Sequence, residues 1–425
     1  MKTKWIFPAF LFISTYLLFS CNKPGNEQDP DDPPVVKDSV LGYTDVNISP
    51  TNFQDIDFGG HLKHFLIDST LYIFSGGNIV YDSKLLKVRM SGQFESIKTI
   101  YTTSHTAQIL DVAYDSLRGR FLVAGGVKDK SNYIYANPIL NVYDMDGNLL
   151  VDKYYSWDQA DNYFTKIQLL PSDQVALLGY ERESNYNYSY HHYFCMILNS
   201  SYDSLRRFNL PFDSITSVFH FNYISPVEIE MVGTRQNGND PVYPDRKIYK
   251  LFYMKFYPGG IITEFLDIRD YVYGTGNVLI DDQDPKQITY YETTGMPDSR
   301  IFYEKYSFTG SLLGSGYLDI LYHNKIQPIY DANSISSIDG GFIVSGQFVK
   351  SNSPAAPTFY GNFLIKYDRD MNEKYRLIFN KDIQDIQLWT SSVDETEPDR
   401  FLLLSDYSGS FMMTNIIASD TNNNH

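Results

Sequence analysis

The sequence predicts an all-β protein: a seven-bladed β-propeller of four-stranded antiparallel blades, its ring closed by an N-terminal strand. Two observations predict it. A short β-rich run, usually ending in a small residue, recurs at residues 71–76, 121–125, 175–179, 229–233, 288–292, 342–346 and 401–405, with end points 49 to 59 residues apart. Self-similarity at such a period marks a repeat architecture. No segment joins a 3.6-residue apolar period to the length and caps that a core helix needs. That disfavours a helix-backed solenoid, and a β-sandwich has no need of the period.

The elements follow in order within each unit. A strand precedes each recurring run, at residues 62–67, 108–114, 164–170, 218–224, 277–281, 334–338 and 386–393. A second run follows at 85–90, 139–144, 193–199, 251–257, 301–307, 362–368 and 411–417, with the length and the β-branched and aromatic content of strands. Turn candidates come next, among them Ser91-Gly92, Asp146-Gly147, Pro258-Gly259-Gly260, Thr309-Gly310 and Arg369-Asp370-Met371-Asn372. They supply residues that tolerate positive φ in hairpins. Further strands follow them at 94–101, 149–155, 261–268, 312–318 and 375–380. Four strands in each of seven units is the propeller pattern. The repeats span about 62–101, 108–156, 164–212, 218–268, 277–320, 334–380 and 386–420, inside a domain of residues 40–425. The last unit runs out after three strands, so residues 40–48 are expected to complete its blade, removing free edges.

Ahead of this domain lies an export signal, residues 1–20. Lys2 and Lys4 precede an almost uninterrupted apolar stretch that ends at Ser20 and Cys21. Leu18-Phe19-Ser20-Cys21 resembles the lipobox of bacterial lipoproteins, which implies that Cys21 is acylated, carries palmitate and begins the mature chain. Residues 21–39 form an acidic, Pro-rich linker: NKPGNEQDPDDPPVV after the cysteine holds four Pro and four acids, too polar to fold and suited to a stiff spacer. Cys21-Asn22-Lys23 followed by acids is similar to the surface lipoproteins of the Bacteroidota. That resemblance implies a lipid-anchored, surface-exposed protein of the outer membrane. Asp339-Gly340-Gly341-Phe342-Ile343-Val344-Ser345-Gly346, followed by Phe363-Leu364-Ile365-Lys366-Tyr367-Asp368, resembles the divergent exported propellers of the same group. No regular Gly-His and Trp-Asp pair is present, so the WD pattern does not apply.

Charge and cysteine count narrow the function. The chain has a net charge of −16, which becomes −18 once Lys2 and Lys4 leave with the leader. No basic groove is available for counterion release, so nucleic acid is not expected as a partner. With Cys21 acylated, Cys195 remains alone, and neither a disulfide nor a cysteine-based metal centre can form. Cys195 lies in an apolar run and reads as a buried, inert thiol.

Site candidates are sparse. Long links between the second and third strands of a blade, at 126–138, 180–192, 234–250 and 347–361, share one face. The richest includes SNYNYSYHHY, so Tyr186, Tyr188, Tyr190, His191, His192 and Tyr193 are candidate ligand contacts, tyrosine suiting protein or glycan surfaces. Blade packing is the plainer account. Asp281, Asp282 and Asp284 form a weak acidic candidate without calcium-loop spacing, for which a solvated turn is the plainer account. No phosphate loop, His-Glu-x-x-His or Gly-x-Ser-x-Gly occurs, and no catalytic residue, metal or cofactor is assigned. The expectation is a non-enzymatic binding or scaffold lipoprotein for an envelope protein or an extracellular polymer. A glycan hydrolase or lyase on the same scaffold is the alternative.

Overall fold

The computed structural model describes residues 40–48, 61–76, 83–91, 93–100, 105–129, 132–155, 161–182, 191–210, 215–225, 227–239, 247–257, 261–272, 277–281, 283, 285–293, 300–322, 325–327, 329–350, 359–379, 389–397, 400–407 and 410–418. The expected signal peptide (residues 1–20), the expected linker (residues 21–39) and Cys21 lie outside them.

The chain begins with β1 (Val40–Ile48). Blade 1 is β2 (His61–Ile67), β3 (Thr70–Ser75), β4 (Ser83–Arg89) and β5 (Phe94–Ile100). Blade 2 is β6 (His105–Asp115), β7 (Arg120–Asp129), β8 (Asn132–Asp144) and β9 (Leu149–Tyr154). Blade 3 is β10 (Asp161–Leu169), β11 (Val175–Arg182), β12 (His191–Leu198) and β13 (Ser204–Asn209), with a 3-10 turn at Pro171–Asp173. Blade 4 is β14 (Ile215–Ser225), β15 (Glu228–Asn239), β16 (Lys247–Tyr257) and β17 (Ile261–Val272). Blade 5 is β18 (Asn277–Asp281), β19 (Gln287–Thr293), β20 (Ile301–Ser307) and β21 (Leu312–Leu318). A two-stranded hairpin, β22 (Ile320–Tyr322) and β23 (Lys325–Gln327), separates it from blade 6, made of β24 (Ile329–Ser336), β25 (Phe342–Lys350), β26 (Phe359–Tyr367) and β27 (Glu373–Phe379). The final sheet is composite: β28 (Trp389–Glu397), β29 (Arg400–Tyr407) and β30 (Ser410–Ala418), with β1 beside β30.

Position within a blade explains each strand's sequence. Second strands are covered on both faces by neighbouring blades and read as nearly continuous apolar runs; five of the first six residues of β3 and β11 are buried. Outer strands face solvent on one side, so β9, β13 and β21 are largely exposed. The turns between third and fourth strands repeat one device. Asp144, Asn199, Ser307 and Asp368 each accept backbone N–H bonds two and four residues on. The residue third after each cap has positive φ: Gly147, Tyr202, Gly310 and Met371.

The core lies between blades, not within one sheet. Six apolar clusters each join two successive sheets, from Phe74 with Phe121 to Ile343 and Leu364 with Val393 and Phe401. Polar ties cross the same gaps. Asp111 on β6 accepts Lys63 Nζ from blade 1 and the Ile167 N–H from blade 3, both at 2.9 Å. Lys366, fully buried on β26, donates to Glu395 on β28 at 2.8 Å.

Two expectations are corrected. Seven blades in a ring closed by the N-terminal strand give way to six blades of consecutive strands plus one composite sheet, and no sheet closes into a ring. β1 does take the outer position beside β30, but it pairs on that side only, and every sheet keeps two edge strands. Successive sheets meet through the side chains of the apolar clusters and not through a hydrogen-bonded ladder, so no ladder runs around the molecule. The long links are also partly strand. Residues 126–129 and 132–138 extend the β7–β8 hairpin, and β15–β16 and β25–β26 lengthen likewise.

Candidate functional site

A cleft of about 140 Å³ lies between blades 2 and 3. It opens on the face that carries the hairpins joining first to second strands. One wall is the β6–β7 turn, Asp115-Ser116-Leu117-Arg118-Gly119-Arg120. Gly119 takes φ 59° there, and Arg118 N–H bonds the Asp115 carbonyl at 3.2 Å. The tight turn brings both arginines back over Asp115: Arg118 Nη1 and Arg120 Nε each donate to Asp115 Oδ2 at 3.0 Å. The other wall is the β10–β11 turn, whose Asp173 pairs with Arg118 Nη2 across the gap. Leu122, Leu169 and Val175 supply apolar lining.

Tyr202, in the β12–β13 turn, forms the back of the cleft. It holds φ 63°, a position better suited to glycine, and its carbonyl accepts the Tyr155 hydroxyl at 2.7 Å. The ring is buried under the Arg120 guanidinium, 5.6 Å from carbon to centroid, and among the described residues the hydroxyl has no hydrogen-bond partner. Burial raises the Tyr202 pKa, with Arg120, Asp115, Arg118 and Asp173 all close enough to act on it. Burial works against ionisation of Asp115 too, but bonds from Arg118 and Arg120 outweigh it and hold the carboxyl below its ordinary range. Arg118 does the same for Asp173. Both carboxylates are therefore anionic at neutral pH and engaged by guanidinium groups. The arrangement suits hydrogen-bonded recognition, because a general acid needs its pKa raised instead. Among the described residues, no group of three His, Cys, Asp or Glu is placed to hold a metal ion.

The residues singled out from sequence lie elsewhere. Tyr186, Tyr188 and Tyr190 fall outside the described residues. His191 and His192 begin β12, opposite Arg182 and Glu181, and His192 is half-buried. Tyr193 is buried, its ring 5.8 Å from Tyr180 and its hydroxyl donating to the Thr216 carbonyl of blade 4 at 3.5 Å. Asp281 ends β18, where it accepts the Gln283 N–H at 3.0 Å and pairs with Arg369 of blade 6. Asp282 and Asp284 are outside the described residues. Asp281 belongs to the first-to-second hairpins and Tyr193 to the opposite end of its blade, so the structure does not bring the two candidate groups together.

Sequence reasoning missed Asp115, Arg118, Arg120, Asp173 and Tyr202. Two signals were present: an Asp-x-x-Arg-Gly-Arg hairpin, and a tyrosine where Asp146-Gly147 and Thr309-Gly310 have glycine.

No family model matches the chain, and no curated protein matches its sequence. Solved structures do align along most of it. The WD40 domain of SCAP from fission yeast has a TM-score of 0.44 and 10% identity, over 88% of this chain and 98% of that one. BBS1N, solved with ARL6DN, has a TM-score of 0.46 and 10% identity, over 89% and 99%. A protein of unknown function from Dyadobacter fermentans has a TM-score of 0.42 and 8% identity, over 75% and 99%. The propeller assignment rests on the sheet topology described above.

Proposed function

We propose that this protein is a lipid-anchored cell-envelope lipoprotein whose propeller binds an extracellular polymer without transforming it. The observation that carries the reading is the cleft between blades 2 and 3, in which two guanidinium groups and two ionised carboxylates surround a buried tyrosine. Such a group orients hydroxyl-bearing ligands through charge-assisted hydrogen bonds. Anchoring rests on Lys2, Lys4, the apolar run and Leu18-Phe19-Ser20-Cys21. Display at the outer-membrane surface rests on the acidic linker.

Two measurements test the reading. The purified lipoprotein, incubated with a panel of cell-wall and capsular polysaccharides, retains at least one and releases no new reducing ends. Reducing ends above the buffer control would favour the glycan hydrolase or lyase, and no retention at all would end the binding reading. Separately, Cys21→Ala abolishes palmitate labelling and moves the protein from the membrane to the soluble fraction; an unchanged distribution would overturn the anchor.

A further inference from the structure

The geometry points to the cleft between the β6–β7 and β10–β11 turns as a site for one carboxylate-bearing sugar residue, its carboxylate received by Arg120 and Tyr202. The inference rests on the polymer-binding reading and names the chemical class of the bound unit.

The hydrogen-bond inventory of the cleft is lopsided. Arg118 is fully committed, with one terminal nitrogen on Asp115 and the other on Asp173. Arg120 is not: only its Nε is bonded, to Asp115, and its two terminal nitrogens make no hydrogen bond among the described residues. Its side chain keeps 19% of its exposure, so the fork is reachable from the cleft. A guanidinium with a free fork matches a carboxylate in plane and spacing.

Tyr202 adds a second, independent sign. Among the described residues its hydroxyl is buried without a partner, a cost that an acceptor beside it would remove. The tyrosine holds the positive-φ turn position that Gly147, Gly310 and Met371 hold in blades 2, 5 and 6.

Lining and volume suit part of one sugar unit. At about 140 Å³ the cleft is near the roughly 150 Å³ cavity that holds benzene, and because it is open the rest of a larger unit stays in solvent. Leu122, Leu169 and Val175 offer a surface for the C–H face of a pyranose. The chain's net charge of −16 opposes a long polyanion at a distance, which favours an isolated or terminal acidic unit over a polyuronate.

The test is isothermal titration of the full lipoprotein in detergent with D-glucuronate and with D-glucose, for the unaltered chain, Tyr202→Phe and Arg120→Lys. Tyr202→Phe keeps the packed ring and Arg120→Lys keeps the charge, and thermal melts of each confirm folding. Glucuronate binds at least tenfold more tightly than glucose. The Tyr202→Phe change weakens glucuronate about fivefold and Arg120→Lys about tenfold or more, with little effect on glucose. Equal affinity for the two sugars, or glucuronate binding indifferent to both substitutions, would overturn the assignment. So would a chain that retains a polysaccharide in the panel experiment but binds no glucuronate, an outcome that leaves the polymer-binding reading standing. Failure in both experiments removes both.

Discussion

At the scale of single residues, backbone conformation and burial decide what can be substituted. Gly341 takes φ 79°, and a Cβ there would lie 2.2 Å from the Tyr367 carbonyl oxygen. Neither strain can be relieved by a rotamer change, because both involve backbone. Gly341→Ala is therefore expected to destabilise by about 3 kcal/mol or more, read as a lower urea midpoint with unchanged slope; a loss under about 1 kcal/mol would contradict this account. Cys195 shows how much of the residue scale is legible in sequence. Its flanks Phe194, Met196, Ile197 and Leu198 indicate a buried thiol, and it is fully buried with its pKa raised by burial. The cleft residues were not legible in the same way. Arg118 meets Asp173, and Arg120 meets Tyr202, across a blade boundary that no local pattern encodes.

At the scale of elements, strand identity was legible because burial on two faces, one face or none leaves its own residue pattern. The β22–β23 hairpin was not, since three-residue strands carry too little periodicity to stand out. Nor were the ionic groups that bind one strand to the next. Glu230 on β15 is buried among His220 of β14 at 3.4 Å, Tyr253 of β16 at 3.2 Å and Lys286, next to β19, at 3.2 Å. Burial alone would raise its pKa, but the neighbouring His220 and Lys286 prevail and lower it from 4.5 to about 2. A folded-state pKa below the unfolded value stabilises fully above about 4.5, and the contribution fades as pH falls towards 2. The whole effect is about 3 kcal/mol at neutral pH. Glu230→Gln is thus expected to melt below the unaltered protein at neutral pH, the two curves converging as pH drops to about 2. Parallel curves across that range would show that the charge of Glu230 is not linked to folding.

At the scale of the whole molecule, the period in the sequence specifies blades that are local in the chain, and these are legible without a structure. The place of β1 beside the last unit was legible too, from a unit one strand short, but closure was not, because it depends on how distant segments meet. β1 illustrates the difference: Val40 stands opposite Ala418 and Ile48 opposite Phe411. Removing residues up to 48 is expected to bare β30 and give a chain with a lower melting temperature that self-associates in light scattering; a monomer of undiminished stability would contradict this. The same pairing has a meaning in time. β1 is made roughly 370 residues before β30 is complete, so at about 5–20 residues per second it waits roughly 20 to 80 seconds before that partner exists. Through that interval an aggregation-capable strand must be occupied, shielded or simply outpaced. A chain whose synthesis stops before Ser410 never ends the wait: β1 is left solitary and β29 keeps β28 alone, instead of one finished sheet.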